Sequence, residues 1–252
     1  MVRALDESEG QGAGVIGGID PRVRVVVAVT FAIAVVTSRD LTALGVGLAM
    51  AIAGMLLARL PVLKTLRRMV AMDMFVIFIL LMLPFTMPGD LLFEVGGLAA
   101  SRQGLMRAVE IALKANAVVL ALMALVGSMS SVTLGHALYR LRVPENLVHL
   151  LLFTVRYIDV LHDEYQRLRI AMETRGFQPA TNSHTMRTFG YLVGMMLVRA
   201  LERSERILDA MTCRGFAGRF PLFDEFRLVA RDWLFSAFSL LACALIVALE
   251  IL

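Results

Sequence analysis

Cysteine is nearly absent from this 252-residue chain, which carries only Cys213 and Cys243, far apart in sequence. A disulfide framework or a cysteine-ligated metal site is therefore not expected. Lysine is as scarce: of 25 basic residues only Lys64 and Lys114 are lysine, and the rest are arginine. Charged residues make up just 18% of the chain, against 58% hydrophobic, with a mean hydropathy of +0.75. So little charge excludes an ordinary soluble domain and implies an integral membrane protein. A pI near 9.5 would suggest nucleic acid for a soluble chain. In a membrane protein arginine mostly marks the cytoplasmic side, so no nucleic-acid partner is expected.

The signatures of chemistry are missing too. There is no G-x-x-x-x-G-K-[ST] loop, so the chain is not expected to hold ATP in the P-loop manner. No Ser-His-Asp or paired-carboxylate arrangement occurs at a usable spacing; no catalytic residue is assigned and no enzyme is expected. A match to G-x-G-x-x-G at Gly12, Gly14 and Gly17 has no strand before it and no acidic partner after it, which excludes a dinucleotide site. Asp159, His162 and Asp163 share one helix face, a spacing open to a divalent metal, yet no fourth ligand is in view and a solvated polar face is the plainer reading. His136, His149 and His184 are scattered. No metal site is assigned. No signal-peptide pattern precedes the first apolar span, because residues 1–20 are polar and glycine-rich.

What the chain does have is long apolar runs. Spans are read at 22–37, 41–58, 69–88, 105–127 and 229–252. Crossing a hydrocarbon core of about 30 Å takes roughly 20 residues, and the first span is short and borrows from its polar flank. Asp20-Pro21-Arg22 opens the first helix, with Asp20 as N-cap and Pro21 at the first helical position. A tight turn at Ser38-Arg39-Asp40 joins the first two spans, and a basic loop holding Arg59, Lys64, Arg67 and Arg68 precedes the third. Residues 89–104 read as an interfacial hairpin or short helix.

The expected fold is an all-α integral membrane protein with five transmembrane helices and a cytoplasmic domain of long amphipathic helices. Its parts are a disordered lead over 1–18, transmembrane helices 1–4 over 19–127, the polar domain over 128–228 and the fifth transmembrane helix over 229–252. Arginine counting places the N-terminus, the 59–68 loop and the 128–228 insert on the cytoplasmic side and the C-terminus outside. Within the spans, Glu110 and Lys114 stand four apart in the favourable order for a pair. Asp73, near the start of the third span, can reach the cytoplasmic interface.

One phrase occurs twice in the polar insert. Ala171-Met172-Glu173-Thr174-Arg175-Gly176-Phe177 returns 39 residues later as Ala210-Met211-Thr212-Cys213-Arg214-Gly215-Phe216. Behind the first copy, Leu147, Leu151, Thr154, Ile158, Leu161, Tyr165, Leu168 and Met172 alternate by four and three, drawing one seam along a helix. Val193, Leu197, Ala200, Ser204, Ile207 and Met211 repeat that seam, and both seams are expected to be packed faces. Each helix ends in arginine, then glycine, with Pro179 or Pro221 a few residues on. Arginine before a glycine cap is ordinary helix chemistry, stabilising the helix end by about 0.3–1 kcal/mol. Two copies on matched seams point beyond it. Gly190 and Gly194 form a small-x-x-x-small step that predicts a close helix crossing, since interior glycines otherwise cost about 1 kcal/mol each.

At these residues the sequence resembles the transmembrane T components of energy-coupling factor transporters, and among them the cobalt/nickel group of the CbiQ type. The resemblance rests on the paired Arg-Gly motifs, on Asp20-Pro21-Arg22, on Ala137-Leu138-x-x-Leu141-Arg142-Val143-Pro144, and on Phe153-Thr154-Val155-Arg156-Tyr157-Ile158-Asp159-Val160-Leu161. Asp163-Glu164 continues it, and the likeness covers nearly the whole chain after residue 18. Thr174 and Cys213 depart from the alanine that often precedes the arginine in that family.

The resemblance implies a non-catalytic coupling subunit. Arg175 and Arg214, with Gly176, Gly215, Ala171, Met172, Ala210 and Met211 around them, would dock on a pair of ABC ATPases and transmit their closing to a membrane-embedded substrate-capture S component, with place for a small accessory membrane subunit. The chain would hold no cofactor itself, ATP being bound by its partners, and the cargo would be cobalt or nickel. The competing reading is a self-contained permease with a path lined by Asp73, Glu110 and Lys114. Permeases of that kind usually show inverted repeats of spans, whereas here the repeat lies in the polar insert.

Overall fold

The computed structural model describes residues 15–59, 61–86, 90–95, 98–216 and 229–251. It divides into two units: Met1–Leu141 with Phe226–Leu252, and Arg142–Glu225.

The first unit is a helical bundle centred on α4. Its helices are α1 (Pro21–Thr37), α2 (Leu41–Leu57), α3 (Val62–Thr86), α4 (Arg102–Leu125), the short α5 (Ser131–Arg140) and α8 (Ala230–Ile251). Asp20 caps α1 as its sequence requires: the side chain accepts from the Arg22 amide at 2.9 Å and Pro21 fills the first helical position. Ser101 caps α4 by accepting from the Gly104 amide at 3.1 Å.

Small residues set the packing. Ala117, Leu120, Ala121 and Ala124 follow helical spacing along α4 and are buried. So are Ala43, Leu44, Gly47 and Ala51 on α2, and α4 packs on α1, α2 and α3. A side chain at Gly47 would meet Val35 at 3.3 Å and Ile246 at 3.7 Å, so glycine is what lets α1, α2 and α8 share one core. That core holds Phe31, Val35, Leu44, Met55, Met69, Leu120, Cys243 and Ile246. Outward-facing positions are as apolar as the core: Met74, Phe78, Trp233, Leu234, Phe238 and Leu241 are each more than 60% exposed. A helix hydrophobic on all sides is either a buried core helix or a membrane span, and exposed apolar side chains of this number favour the span. Among the described residues, Arg102–Leu125 and Ala230–Ala248 are long and apolar enough to cross a membrane, and Leu41–Leu57 is a shorter apolar helix.

One expectation changes here. Lys64, Arg67 and Arg68 do not sit in a loop, because α3 begins at Val62. Pro61 precedes it with its carbonyl accepting from the Thr65 amide at 3.0 Å, and nothing in Val62–Arg68 breaks a helix. Among the described residues the fold is helical, as expected, apart from one short strand pair. Strands β1 (Leu91–Val95) and β2 (Leu98–Ser101) pair antiparallel, with Leu91 opposite Ser101 and Val95 opposite Leu98. Of the two forms read for 89–104, the strand pair is the one that forms.

The second unit contains two 30-residue helices, α6 (Glu145–Thr174) and α7 (Ser183–Thr212). Each is roughly 45 Å long at 1.5 Å per residue. The unit begins at Arg142, so α5, which packs on α1, belongs to the first.

Candidate functional site

The two copies of the repeated phrase end their helices identically. In the first, the Phe177 amide donates to the Met172 carbonyl at 3.1 Å and the Gly176 amide to Glu173 at 3.0 Å. In the second, Phe216 donates to Met211 at 3.0 Å and Gly215 to Thr212 at 3.0 Å. This is the Schellman arrangement, with a six-to-one bond outside a five-to-two bond. It needs a left-handed residue at the glycine, and Gly176 and Gly215 have φ of 79° and 82°. A side chain at either glycine would meet nothing within 4 Å, so conformation and not space selects glycine.

The arrangement places Arg175 and Arg214 immediately before the left-handed glycine, with the chain turning sharply after each. Both are exposed. Neither guanidinium has a hydrogen bond or ion pair among the described residues. Ala171 and Ala210, one turn earlier, are exposed as well, while Met172 and Met211 are half-buried.

The surroundings of the first end are fully described. Arg175 and Gly176 line a cleft of about 650 Å³ with Leu168, Ala171, Met172, Phe177, His184, Thr188, Tyr191, Leu192, Met195 and Arg199. Phe177 packs edge-on against Phe189, ring centroids 5.9 Å apart, which ties the turn after α6 to the first turns of α7. Deeper along the pair, Arg199 donates through Nη1 to the Glu164 carboxylate, and Glu164 is 8% exposed. Nothing in the sequence pairs these two residues 35 positions apart.

Among the described residues, leaving aside their own helix backbone, no atom lies within 4 Å of where a side chain at Gly190 or Gly194 would go, so the close crossing expected there is not made by these residues. Among the described residues the seams are covered only in part: Leu147, Ile158, Leu161, Val193 and Leu197 are 39% to 62% exposed, whereas Leu151, Tyr165, Leu168, Met172, Ala200 and Ile207 are half-buried. The periodicity marks an apolar face; α6 and α7 meet around Glu164, Leu192 and Arg199, where Tyr165, Leu168 and Met172 of the seam are half-buried, and the more distant seam positions stay exposed.

In the first unit, Glu110 accepts from Lys114 at 2.7 Å, as its spacing predicts, and also from Arg107 at 2.8 Å. The Asp73 side chain lies outside the described residues. Among the described residues no cluster of His, Cys, Asp and Glu is arranged to hold a metal, and Asp159, His162 and Asp163 are exposed.

Asp20 belongs to a polar knot that sequence alone does not reveal. Its amide donates to Asp232 Oδ1 at 2.9 Å, the other oxygen of Asp232 accepts from the Val229 amide at 2.8 Å, and both aspartates are buried. Arg22 Nε lies 3.8 Å from the Asp20 carboxylate. Arg24, 3% exposed, donates from Nε to the Leu125 carbonyl at 2.9 Å and from Nη2 to the Ser128 hydroxyl. It thereby satisfies a carbonyl left over at the end of α4. The only sequence sign of Asp232 is an acid in the first turn of an otherwise apolar helix.

Comparison with known proteins agrees with this architecture. The family described as CbiQ, cobalt transport protein, matches residues 13–222. A cobalt transport protein CbiQ of Rhodobacter capsulatus is 27% identical over 130 residues, which cover 51% of this chain and 53% of that protein. An uncharacterized protein of Methanocaldococcus jannaschii is 30% identical over 91 residues, covering 36% of this chain and 34% of that protein. The chain thus spans about half of one relative and about a third of the other.

Proposed function

The chain belongs to the CbiQ cobalt transport protein family, and on that footing we propose that it is the coupling subunit of an energy-coupling factor importer. It is a membrane protein of a transport family, which favours a transporter component over a catalytic enzyme. The finer reading gives it five transmembrane helices, N-terminus inside and C-terminus outside, with the 128–228 domain in the cytoplasm. Arg175 and Arg214 bind a pair of ABC ATPases that hold the ATP, and their motion passes to a membrane-embedded capture subunit for cobalt or nickel.

The observation that carries this reading is the duplicated helix end. Two arginines, each just before the glycine of the same Schellman turn, both exposed and unpaired among the described residues, suit two equivalent acceptors on a paired partner. Arginine offers a fixed fork to carboxylates and stays charged when buried in an interface. The permease reading loses support from Glu110, whose carboxylate is already bonded to both Arg107 and Lys114.

Purification of the tagged chain from solubilised membranes tests the proposal. ABC ATPases and a second membrane protein should co-purify. Cobalt uptake by vesicles holding this chain alone would instead establish a permease.

A further inference from the structure

Beside the strand pair, at the start of α4, a pocket of about 540 Å³ opens among Asp90, Arg102, Gln103, Met106, Arg107 and Glu110. Its polar groups are fixed unequally. The Glu110 carboxylate is bonded to both Lys114 and Arg107. Asp90 is clasped by Gln103: its amide donates to Gln103 Oε1 at 2.7 Å, and its Oδ2 accepts from Gln103 Nε2 at 3.0 Å. The Arg102 amide donates to the Asp90 carbonyl at 2.9 Å, which holds the two residues side by side.

Two charges are left over. Among the described residues the Arg102 guanidinium has no hydrogen bond or ion pair, Asp90 Oδ1 has none, and the two do not pair with each other. Among the described residues Arg107 uses only Nη1, on Glu110. A divalent cation does not fit, because one of the two carboxylates is already neutralised and three cations stand near. A simple anion meets the repulsion of Asp90. The complement of a free guanidinium beside a free carboxylate oxygen is a ligand carrying both a phosphate and an ammonium.

Its other end is indicated by the helix. Arg102–Leu125 is long and apolar enough to cross a membrane, and Leu105, Met106 and Val109 are 47%, 47% and 42% exposed along its first turns. Apolar surface therefore runs on from the charged pocket, as acyl chains run on from a headgroup. We propose that this pocket binds the headgroup of phosphatidylethanolamine, with phosphate oxygens on Arg102 and the open edge of Arg107, and the ammonium on Asp90 Oδ1.

The test is native mass spectrometry of the purified full chain in detergent. Phosphatidylethanolamine, phosphatidylcholine and phosphatidylglycerol with identical acyl chains are added separately, with soluble glycerophosphoethanolamine as a fourth ligand. The ethanolamine lipid should be retained about fivefold over the other two lipids, the worth of roughly one charge contact near a membrane surface. Arg102→Ala should lower retention of both ethanolamine and glycerol lipids about fivefold. Asp90→Asn keeps an oxygen for Gln103 and should lower the ethanolamine lipid alone, by about two- to fivefold, as for an exposed ion pair. Both side chains are exposed, so thermal unfolding of the variants should match the parent. Equal retention of the three lipids, or an ethanolamine-lipid signal untouched by both substitutions, overturns the site. Soluble glycerophosphoethanolamine binding as tightly as the lipid overturns its assignment to a membrane ligand.

Discussion

Arg199 on α7 donates to the carboxylate of Glu164 on α6, and this pair joins the two helices that carry the duplicated arginine ends. Glu164 is buried while Arg199 is half-exposed, so the two partners are not equivalent. Arg199→Ala leaves a carboxylate in a dry site and should cost roughly 1–3 kcal/mol. The double change Glu164→Ala with Arg199→Ala removes the stranded charge as well and should cost less than the two single changes added together. Unfolding midpoints in detergent for the three variants check this, and strict additivity would show that the pair does not couple.

The two arginines should matter for assembly and hardly at all for folding. Truncating one side of a buried charge-assisted contact typically costs 2–5 kcal/mol. Arg175→Ala and Arg214→Ala should each reduce ATPase recovery in a pull-down and reduce cobalt uptake in cells, and the double change should do worse than either. Arg→Lys should rescue in part, because an ammonium cannot reproduce the bidentate fork. A helix-capping role alone predicts a loss of at most about 1 kcal/mol in stability, with assembly intact.

Gly176 and Gly215 separate backbone strain from steric exclusion. Both lie in open space with positive φ, so Gly→Ala at either should destabilise its helix end by about 1–2 kcal/mol through conformation alone. Gly→Asn should cost less, since asparagine tolerates the left-handed region. Thermal unfolding of the four variants measures the difference, and equal effects of alanine and asparagine would contradict the assignment.

Exposed and buried positions on α7 should respond oppositely to a charge. Leu197→Asp and Val193→Asp fall on the open face and should leave the unfolding midpoint of the isolated chain within the range of about 0.5 kcal/mol usual for surface changes. They should nonetheless abolish recovery of the assembled complex. Leu192→Asp, at a position 6% exposed, should destabilise the isolated chain itself. A large drop in midpoint for Leu197→Asp would mean that the seam packs within the chain after all.

Local chemistry was legible in the sequence and tertiary pairing was not. The Asp20 cap, the Arg-Gly helix ends and the Glu110–Lys114 pair each depend on residues a few positions apart, where spacing alone fixes the geometry. Arg107 joins Glu110 three positions on, a helical spacing that the sequence contains as plainly as that of Lys114. Glu164 with Arg199, and Arg24 with Leu125 and Ser128, depend on how helices distant in sequence are laid together. The four-and-three seam states that a face is apolar but not what covers it. Gly190 and Gly194 are alike in this, since a small-residue step permits a close approach without supplying a neighbour.

The bond from the Asp20 amide to Asp232 spans 212 positions, and its consequence concerns birth order. At about 5–20 residues per second, a ribosome needs roughly 10 to 40 s to travel from one partner to the other. All of α6 and α7 is made in that interval. The bundle therefore waits, with the Asp20 amide unmet and α1 and α2 lacking the face supplied by α8, while the inserted unit already has every residue it needs. The part nearest the N-terminus is finished last, and the nascent chain offers its helix-end arginines before its own membrane bundle has closed.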